Sequence, residues 1–202
     1  MTDFISFVAF YHLMGDNNND SYDFNKIYSD YTRQNGVMSD EFADIAFGPL
    51  IRTVETLLPE KSRIGEMGCS YGDFLLSLRR RGYNNTVGFE SQKGPLETAR
   101  RRGLDVQQIN NYTGSHELKR KGPFDGIIAN RVFEYPVMNR VDSEFLSKQI
   151  VRSLKSGGYL VLGSTEKERI YLYEFDRILK RVFCKNMPDE SYVRALVTYR
   201  KQ

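Results

Sequence analysis

RIGEMGCSYGDFLLSL, running from Arg63 to Leu78, decides the fold. Its first part, with Ser62 before it, reads as a strand ending at Met67. The run from Asp73 to Arg81 carries helical apolar spacing. Between them lies a turn of small residues, with Glu66 at its entrance and glycines at 68 and 72. Glycine lets a backbone turn sharply and approach a ligand without a Cβ in the way. In an open α/β sheet, the carboxyl end of such a strand is where a cofactor sits. A dinucleotide fingerprint asks for glycine at 68, 70 and 73, but the chain has Gly68, Ser70 and Asp73. A phosphate-cradling loop would close on Gly-Lys-Ser/Thr, and no lysine is present here. The pattern is therefore that of a loop for a ligand without a pyrophosphate, guarded by a carboxylate.

Outward from this loop, strands alternate with helices. Strands are expected near 62–67, 85–90, 104–108, 124–129 and 159–164, with helices at 73–81, 95–102, 143–154 and 169–181. Such alternation predicts a parallel sheet with right-handed crossovers and helices on both faces. The tail breaks the alternation: RVFCKN (181–186) and YVRALVTYRK (192–201) flank Met187-Pro-Asp-Glu190, so these two strands should pair antiparallel. Upstream, Phe24–Tyr31 and Glu41–Leu57 show helical spacing, and Gly48-Pro49 makes the latter either two helices or one kinked helix.

Four segments in order resemble the class I, Rossmann-like, S-adenosylmethionine (SAM)-dependent methyltransferases. The first is the stretch quoted above, similar to that family's acid-x-Gly-x-Gly-x-Gly motif with Ser70 in place of the middle glycine. TVGFES (86–91) carries Glu90, which resembles the acid closing the second strand. FDGIIANRVFEY (124–135) looks like the fourth strand and its following turn, and LKSGGYLVLGS (154–164) like the fifth. The resemblance covers about residues 60 to 165. It implies a seven-stranded, mostly parallel sheet with an antiparallel C-terminal strand, and a single domain over 1–202. In that domain, 61–202 form the SAM-binding catalytic core and 1–60 form a helical lid that selects the substrate. Gly65 stands where an apolar strand residue is usual, which should weaken the strand slightly.

The resemblance also implies roles. Glu66 should face the methionine ammonium, with Gly68, Cys69, Ser70 and Gly72 as the loop backbone around it. Glu90, followed by Ser91, should accept from the ribose hydroxyls, since a carboxylate suits a vicinal diol. Asn110 stands near the adenine position, with Asn111 as its competitor. Asn130 and Arg131 should line the methionine end. Tyr135 stands where relatives carry histidine. With His12, Tyr28 and Tyr31 it makes a short set of candidates for the acceptor side, without an identified base, and His116 is expected on a loop. The implied product is S-adenosylhomocysteine, and no metal is required.

Composition narrows the class. A net charge of +3 does not call for a nucleic-acid partner. Cys69 and Cys184 have no metal-ligand spacing, and a reduced, cytoplasmic protein is expected. FISFVAFYHL (4–13) follows Asp3 rather than a basic region, so it resembles a packed helix more than a signal peptide or membrane span. The runs Arg79-Arg-Arg-Gly82 and Arg100-Arg-Arg-Gly103 both end predicted helices, where arginine opposes the dipole and glycine takes the left-handed position beyond. Both runs should then lie on the sheet edge opposite the cofactor. The expected activity is methyl transfer to an oxygen or nitrogen of a small molecule, by a monomer or homodimer. RNA or protein as acceptor, or a catalytically inactive partner subunit, remain as alternatives. ANRVFEY lacks the Asn/Asp-Pro-Pro-Tyr type of sequence used to grip a nucleobase amine.

Overall fold

The computed structural model describes residues 37–109, 116–133, 140–164, 179–186 and 195–202. Helices α1 (Asp40–Ala46) and α2 (Gly48–Leu57) come first, so the segment is two helices, broken at Phe47 with Gly48-Pro49 opening the second. Ser39 caps α1 by accepting from the Phe42 N–H, and Pro49 sits in the first turn of α2, where a missing N–H costs nothing. There follow β1 (Ile64–Met67), α3 (Asp73–Arg80), β2 (Thr86–Glu90), α4 (Lys93–Arg101), β3 (Val106–Gln108), α5 (His116–Lys121) and β4 (Phe124–Asn130). The chain closes with α6 (Arg140–Ser153), β5 (Leu154–Ser164), β6 (Lys180–Asn186) and β7 (Ala195–Arg200).

The seven strands form one sheet in the order β3-β2-β1-β4-β5-β7-β6. β1 pairs in parallel with β2 and β4, β2 with β3, and β4 with β5, while β7 runs antiparallel to both β5 and β6. This is the Rossmann-like sheet expected from the sequence, with its antiparallel C-terminal strand.

Alternation along the central strands divides the core between two faces. Ile64, Ile128, Val161 and Leu196 pack with Phe42, Leu50, Val54, Phe74 and Leu78 from α1, α2 and α3. Met67, Phe89, Ile127, Leu160 and Val197 point the other way, toward Leu146 and Ile150 of α6. A third cluster, Leu75, Leu96, Ala99, Leu104 and Val106, seats α4. Gly65 does more than interrupt the apolar run. A Cβ there would stand 3.3 Å from the Phe124 ring, so its absence lets that ring lie against β1.

Some expectations need correction. His116 is exposed and begins α5 rather than lying in a loop. That helix, HELKRK, has one apolar residue, Leu118, and so shows no periodicity to read. β5 begins at Leu154, five residues earlier than expected, because Leu154 pairs with Phe124 before the register shifts. Of residues 179–181, expected in a helix, Leu179 lies in a bend and Lys180 and Arg181 belong to β6; the remainder of that helix, 169–178, lies outside the described residues. Most of the segment 1–60 lies there too, as do His12, Tyr28, Tyr31, Asn110, Asn111 and Tyr135. Among the described residues, no helix is long and apolar enough to cross a membrane.

Candidate functional site

Parity places the polar strand ends together. Glu66 lies two residues beyond Ile64, Asn130 two beyond Ile128, and Glu90 two beyond Gly88, which faces Cys69 and Leu75. In a strand that spacing keeps the same face. Three adjacent parallel strands, β2, β1 and β4, thus present Glu90, Glu66 and Asn130 at their carboxyl ends, on the face covered by α1 to α4. All three line a cleft of about 280 Å³.

The loop between β1 and α3 forms the floor. Gly68, Ser70 and Gly72 have φ of 66°, 48° and 83°, so every second residue is left-handed. Glycine adopts this at no cost, whereas Ser70 carries the Cβ clash, roughly 1–2 kcal/mol for an L-residue. That strain is offset by attachments. The Ser70 N–H donates to Glu90 Oε2 at 2.8 Å, and the Gly68 and Cys69 N–H groups donate to the Phe89 carbonyl. Gly72 has a second constraint, since a Cβ there would fall 2.2 Å from Leu104 Cδ1. Cys69 lays its sulfur against Gly88, where an added Cβ would fall 2.6 Å from it. Burial pushes its thiol well above the ordinary range, assisted by Glu66 and Glu90, so it offers backbone rather than a nucleophile.

The three carboxylates of the site are compensated differently. Glu90 Oε1 accepts from the Ser91 and Gln92 N–H groups at 2.8 Å each, and Oε2 from Ser70. With two lone pairs per oxygen, Oε1 is filled and Oε2 keeps one place for a ligand donor. Asp73, at the first position of α3, accepts from Arg102 Nη1 at 2.5 Å and, more weakly, from the Met38 N–H at 3.4 Å. Burial still holds its carboxyl above the ordinary value against that pull. Glu66 has the least help: it is buried, and Oε2 has no hydrogen-bond partner. Burial first, then the neighbouring Asp73 and Glu90 charges, push its carboxyl well above the usual range.

Asn130 Oδ1 is likewise buried and unpartnered. Four such atoms occur among the described residues, and two of them belong to side chains lining this cleft, which is where a ligand would satisfy them. Asn130 can lie there because position 163 is glycine; a Cβ would come within 2.5 Å of that oxygen. The turn continues through Arg131, left-handed at φ 63°, whose N–H donates to the Gly163 carbonyl. Two orphaned acceptors, one of them a carboxylate, form a donor-poor niche suited to an ammonium group.

Of the residues expected from the sequence, Glu66, Gly68, Cys69, Ser70, Glu90, Asn130 and Arg131 line the cleft. Gly72 and Ser91 stand behind it, one seating the loop and the other bonding Glu90. The sequence reading missed Phe47, which reaches the cleft from the α1–α2 break and packs edge-on against Phe74 at 5.5 Å. Asp73, Gln92, Pro95 and Val132 were missed as well. Asp73 carried a signal, since an acid opens the helix just after the loop, but it served only to argue against a dinucleotide.

The arginine runs need one correction. Gly82 and Gly103 are left-handed, as expected of helix ends. Arg80 bonds Asp40 and Asp44, and Arg81 bonds Asp44, tying α3 to α1. Arg102, however, does not stay on the far edge, because its guanidinium reaches the cleft-lining Asp73.

Residues 41–181 match a family model described as a methyltransferase domain. No curated protein is matched by the sequence. Solved structures that share the fold include CalS10 from Micromonospora echinaspora, an amino pentose methyltransferase solved with SAM bound. It has 14% identity and a TM-score of 0.66, covering 92% of this chain and 100% of that one. A TehB-like SAM-dependent methyltransferase from Corynebacterium glutamicum has 14% identity and a TM-score of 0.63, covering 90% and 98%. The glycopeptide N-methyltransferase MtfA, in complex with S-adenosylhomocysteine, has 11% identity and a TM-score of 0.61, covering 77% and 90%.

Proposed function

We propose that the chain, which belongs to the methyltransferase domain family, transfers a methyl group from SAM to an oxygen or nitrogen of a small molecule, for example a sugar or another metabolite. The cofactor is S-adenosylmethionine, and the product formed from it is S-adenosylhomocysteine. One observation carries the assignment of the site. The buried Glu66 Oε2 is unpartnered in a cleft at the strand tips, beside a loop turned by three left-handed residues.

When bound, the cofactor supplies an electrophilic methyl on a sulfonium. The chain's residues bind and orient. Glu66 and Asn130 accept from the methionine ammonium, relieving both orphaned oxygens. Glu90 accepts from the ribose through the remaining place on Oε2, so a second hydroxyl must share that oxygen or turn elsewhere. This is narrower than the expectation that Glu90 serves both hydroxyls. Loop residues Gly68 to Ser70 approach with backbone alone, and Asn110 remains our candidate beside adenine. Phe47 and Val132 wall the cleft with apolar surface near the turn that leads to Tyr135. Positioning donor and acceptor in line can supply roughly 7–11 kcal/mol of barrier reduction. An acceptor with a lone-paired nitrogen, or a readily ionised hydroxyl, needs no strong base.

Residues 1–60 select the acceptor on this reading. The amino pentose and glycopeptide methyltransferases among the similar folds support the small-molecule side. A nucleic-acid acceptor gains no support, because Arg80, Arg81 and Arg102 are committed to ion pairs within the fold. We place the enzyme in the reduced cytoplasm, as a monomer or homodimer.

Calorimetry with S-adenosylhomocysteine tests the site. Glu90→Gln is the gentler variant, since its amide oxygen can keep the Ser91 and Gln92 N–H groups and only the Ser70 N–H and the ligand lose their acceptor, whereas alanine strips all three N–H groups. Losing a charge-assisted bond should cost about 1.5–3 kcal/mol. Unchanged affinity would remove Glu90 from the site.

A further inference from the structure

We propose that Arg102 is a positioning residue for the cofactor loop, pinning its last turn through bonds from one guanidinium nitrogen to the Tyr71 carbonyl and the Asp73 carboxylate. The inference rests on the cofactor assignment above only for its consequence on binding; its structural part stands alone.

Arg102 ends a run in which helix capping would account for every arginine, yet the three behave differently. Arg100 Nε donates to the Val106 carbonyl, and Arg101 donates to Thr98 Oγ1 on its own exposed helix surface. Arg102 uses its backbone N–H to cap α4, which frees the side chain. Nη1 then crosses to another element, donating to Tyr71 O at 2.8 Å and Asp73 Oδ1 at 2.5 Å. The acceptors lie 31 and 29 residues away in sequence. The pair is largely desolvated, with side-chain exposures of 21% for Arg102 and 4% for Asp73, so it is unlike the open ion pairs at the surface.

The loop needs such a pin. Ser70 is held left-handed against its preference, and the loop offers few side chains of its own to stabilise that shape. Its middle is fixed by Glu90 through the Ser70 N–H. Its end is fixed by the 99–104 segment, where Gly72 rests against Ala99 and Leu104 while Arg102 grips either side of it in sequence, at 71 and 73. The same Asp73 oxygen also receives the Met38 N–H, so the entry to α1 is tied to this point. A loop fixed at its middle and its end holds its backbone in one arrangement before any ligand arrives, which lowers the cost of ordering on binding.

The test compares wild type with Arg102→Ala, Arg102→Lys and Arg79→Ala, by hydrogen exchange of the Ser70–Gly72 amides without ligand and by calorimetry with S-adenosylhomocysteine. Arg79 is the matched control, because its Nη2 donates to the Gly103 carbonyl of the same segment without touching the loop. Arg102→Ala should speed loop exchange and weaken binding by about tenfold or more. Arg102→Lys, which keeps a point charge but lacks the guanidinium geometry, should fall between. Arg79→Ala should change neither. Loop exchange and affinity at wild-type values in both Arg102 variants would overturn the proposal, and so would equal effects from Arg79→Ala. A wild type that binds no S-adenosylhomocysteine would overturn the cofactor assignment, and loop exchange would still decide the pin.

Discussion

Replacing Glu66 with glutamine separates two consequences of one buried carboxylate. Glutamine keeps the shape and removes the charge. Within the fold Glu66 is buried, unpartnered on Oε2 and close to two other acids. Its carboxyl is raised above the ordinary 4.5, chiefly by burial. For a group raised in the folded state, the stability it contributes is complete below the unfolded value and is lost as pH climbs through the folded one. Empty wild type should therefore lose stability from about pH 4.5 upward, by about 1.4 kcal/mol for each unit of upward shift. The glutamine variant should lack that slope and be the more stable protein near neutrality. Ligand reverses the order. An ammonium against the carboxylate gains a charge-assisted bond worth about 1.5–3 kcal/mol, or roughly ten- to 150-fold in Kd. Part of this is spent ionising Glu66, so binding releases a proton and tightens as pH rises. Thermal unfolding across pH 4.5–8, with calorimetry of S-adenosylhomocysteine in buffers of different ionisation heat, reads both effects. If Glu66→Gln binds as tightly as wild type and shows the same stability slope, Glu66 neither bears the buried charge nor meets the ammonium.

Two further outcomes are expected. Arg80→Gln with Arg101→Gln should leave S-adenosylhomocysteine affinity within experimental error, since neither side chain touches the cleft; denaturant melts should show a loss of a few tenths to about 1 kcal/mol per site, and a larger effect on affinity would show that the arginine runs belong to the site. Removing residues 1–36, while keeping Met38 in the core and Ser39 as the α1 cap, should preserve cofactor affinity within about tenfold, roughly 1.4 kcal/mol, and abolish methyl transfer. A truncated protein that methylates its acceptor at the full rate would show that this segment does not select the substrate.

The sheet was legible because its signals are local. Apolar runs of strand length separated by helical spacing, and two consecutive strands at the tail, determine both the parallel core and the antiparallel edge. α5 was not legible, since Leu118 alone faces the core and a single contact has no period. Gly65 was read against the resembling motif as a weakness of the strand, whereas its meaning lies in the Phe124 ring of a neighbouring strand. At the site, Glu66, Glu90 and Asn130 could be found because each is a polar residue in the last two positions of a strand. Phe47, Asp73 and Arg102 could not. Their roles depend on which helix end lies against which loop, and the run of three arginines carries a sufficient local explanation that conceals the one exception.

The differing compensation of the three acids explains how one cleft can be both rigid and waiting. Glu90 is satisfied mainly by backbone N–H groups and shapes the loop; Asp73 is neutralised by Arg102 and seats the helix. Both are structural expenses already met when the chain folds. Glu66 is not met, and its cost falls as soon as a cation enters, because the ligand supplies the hydrogen bond and the positive charge that the protein withholds. The ammonium is common to SAM and to its demethylated product, so on the proposed reading Glu66 anchors both forms alike. The buried acid that destabilises the unliganded fold is thus what favours taking up either.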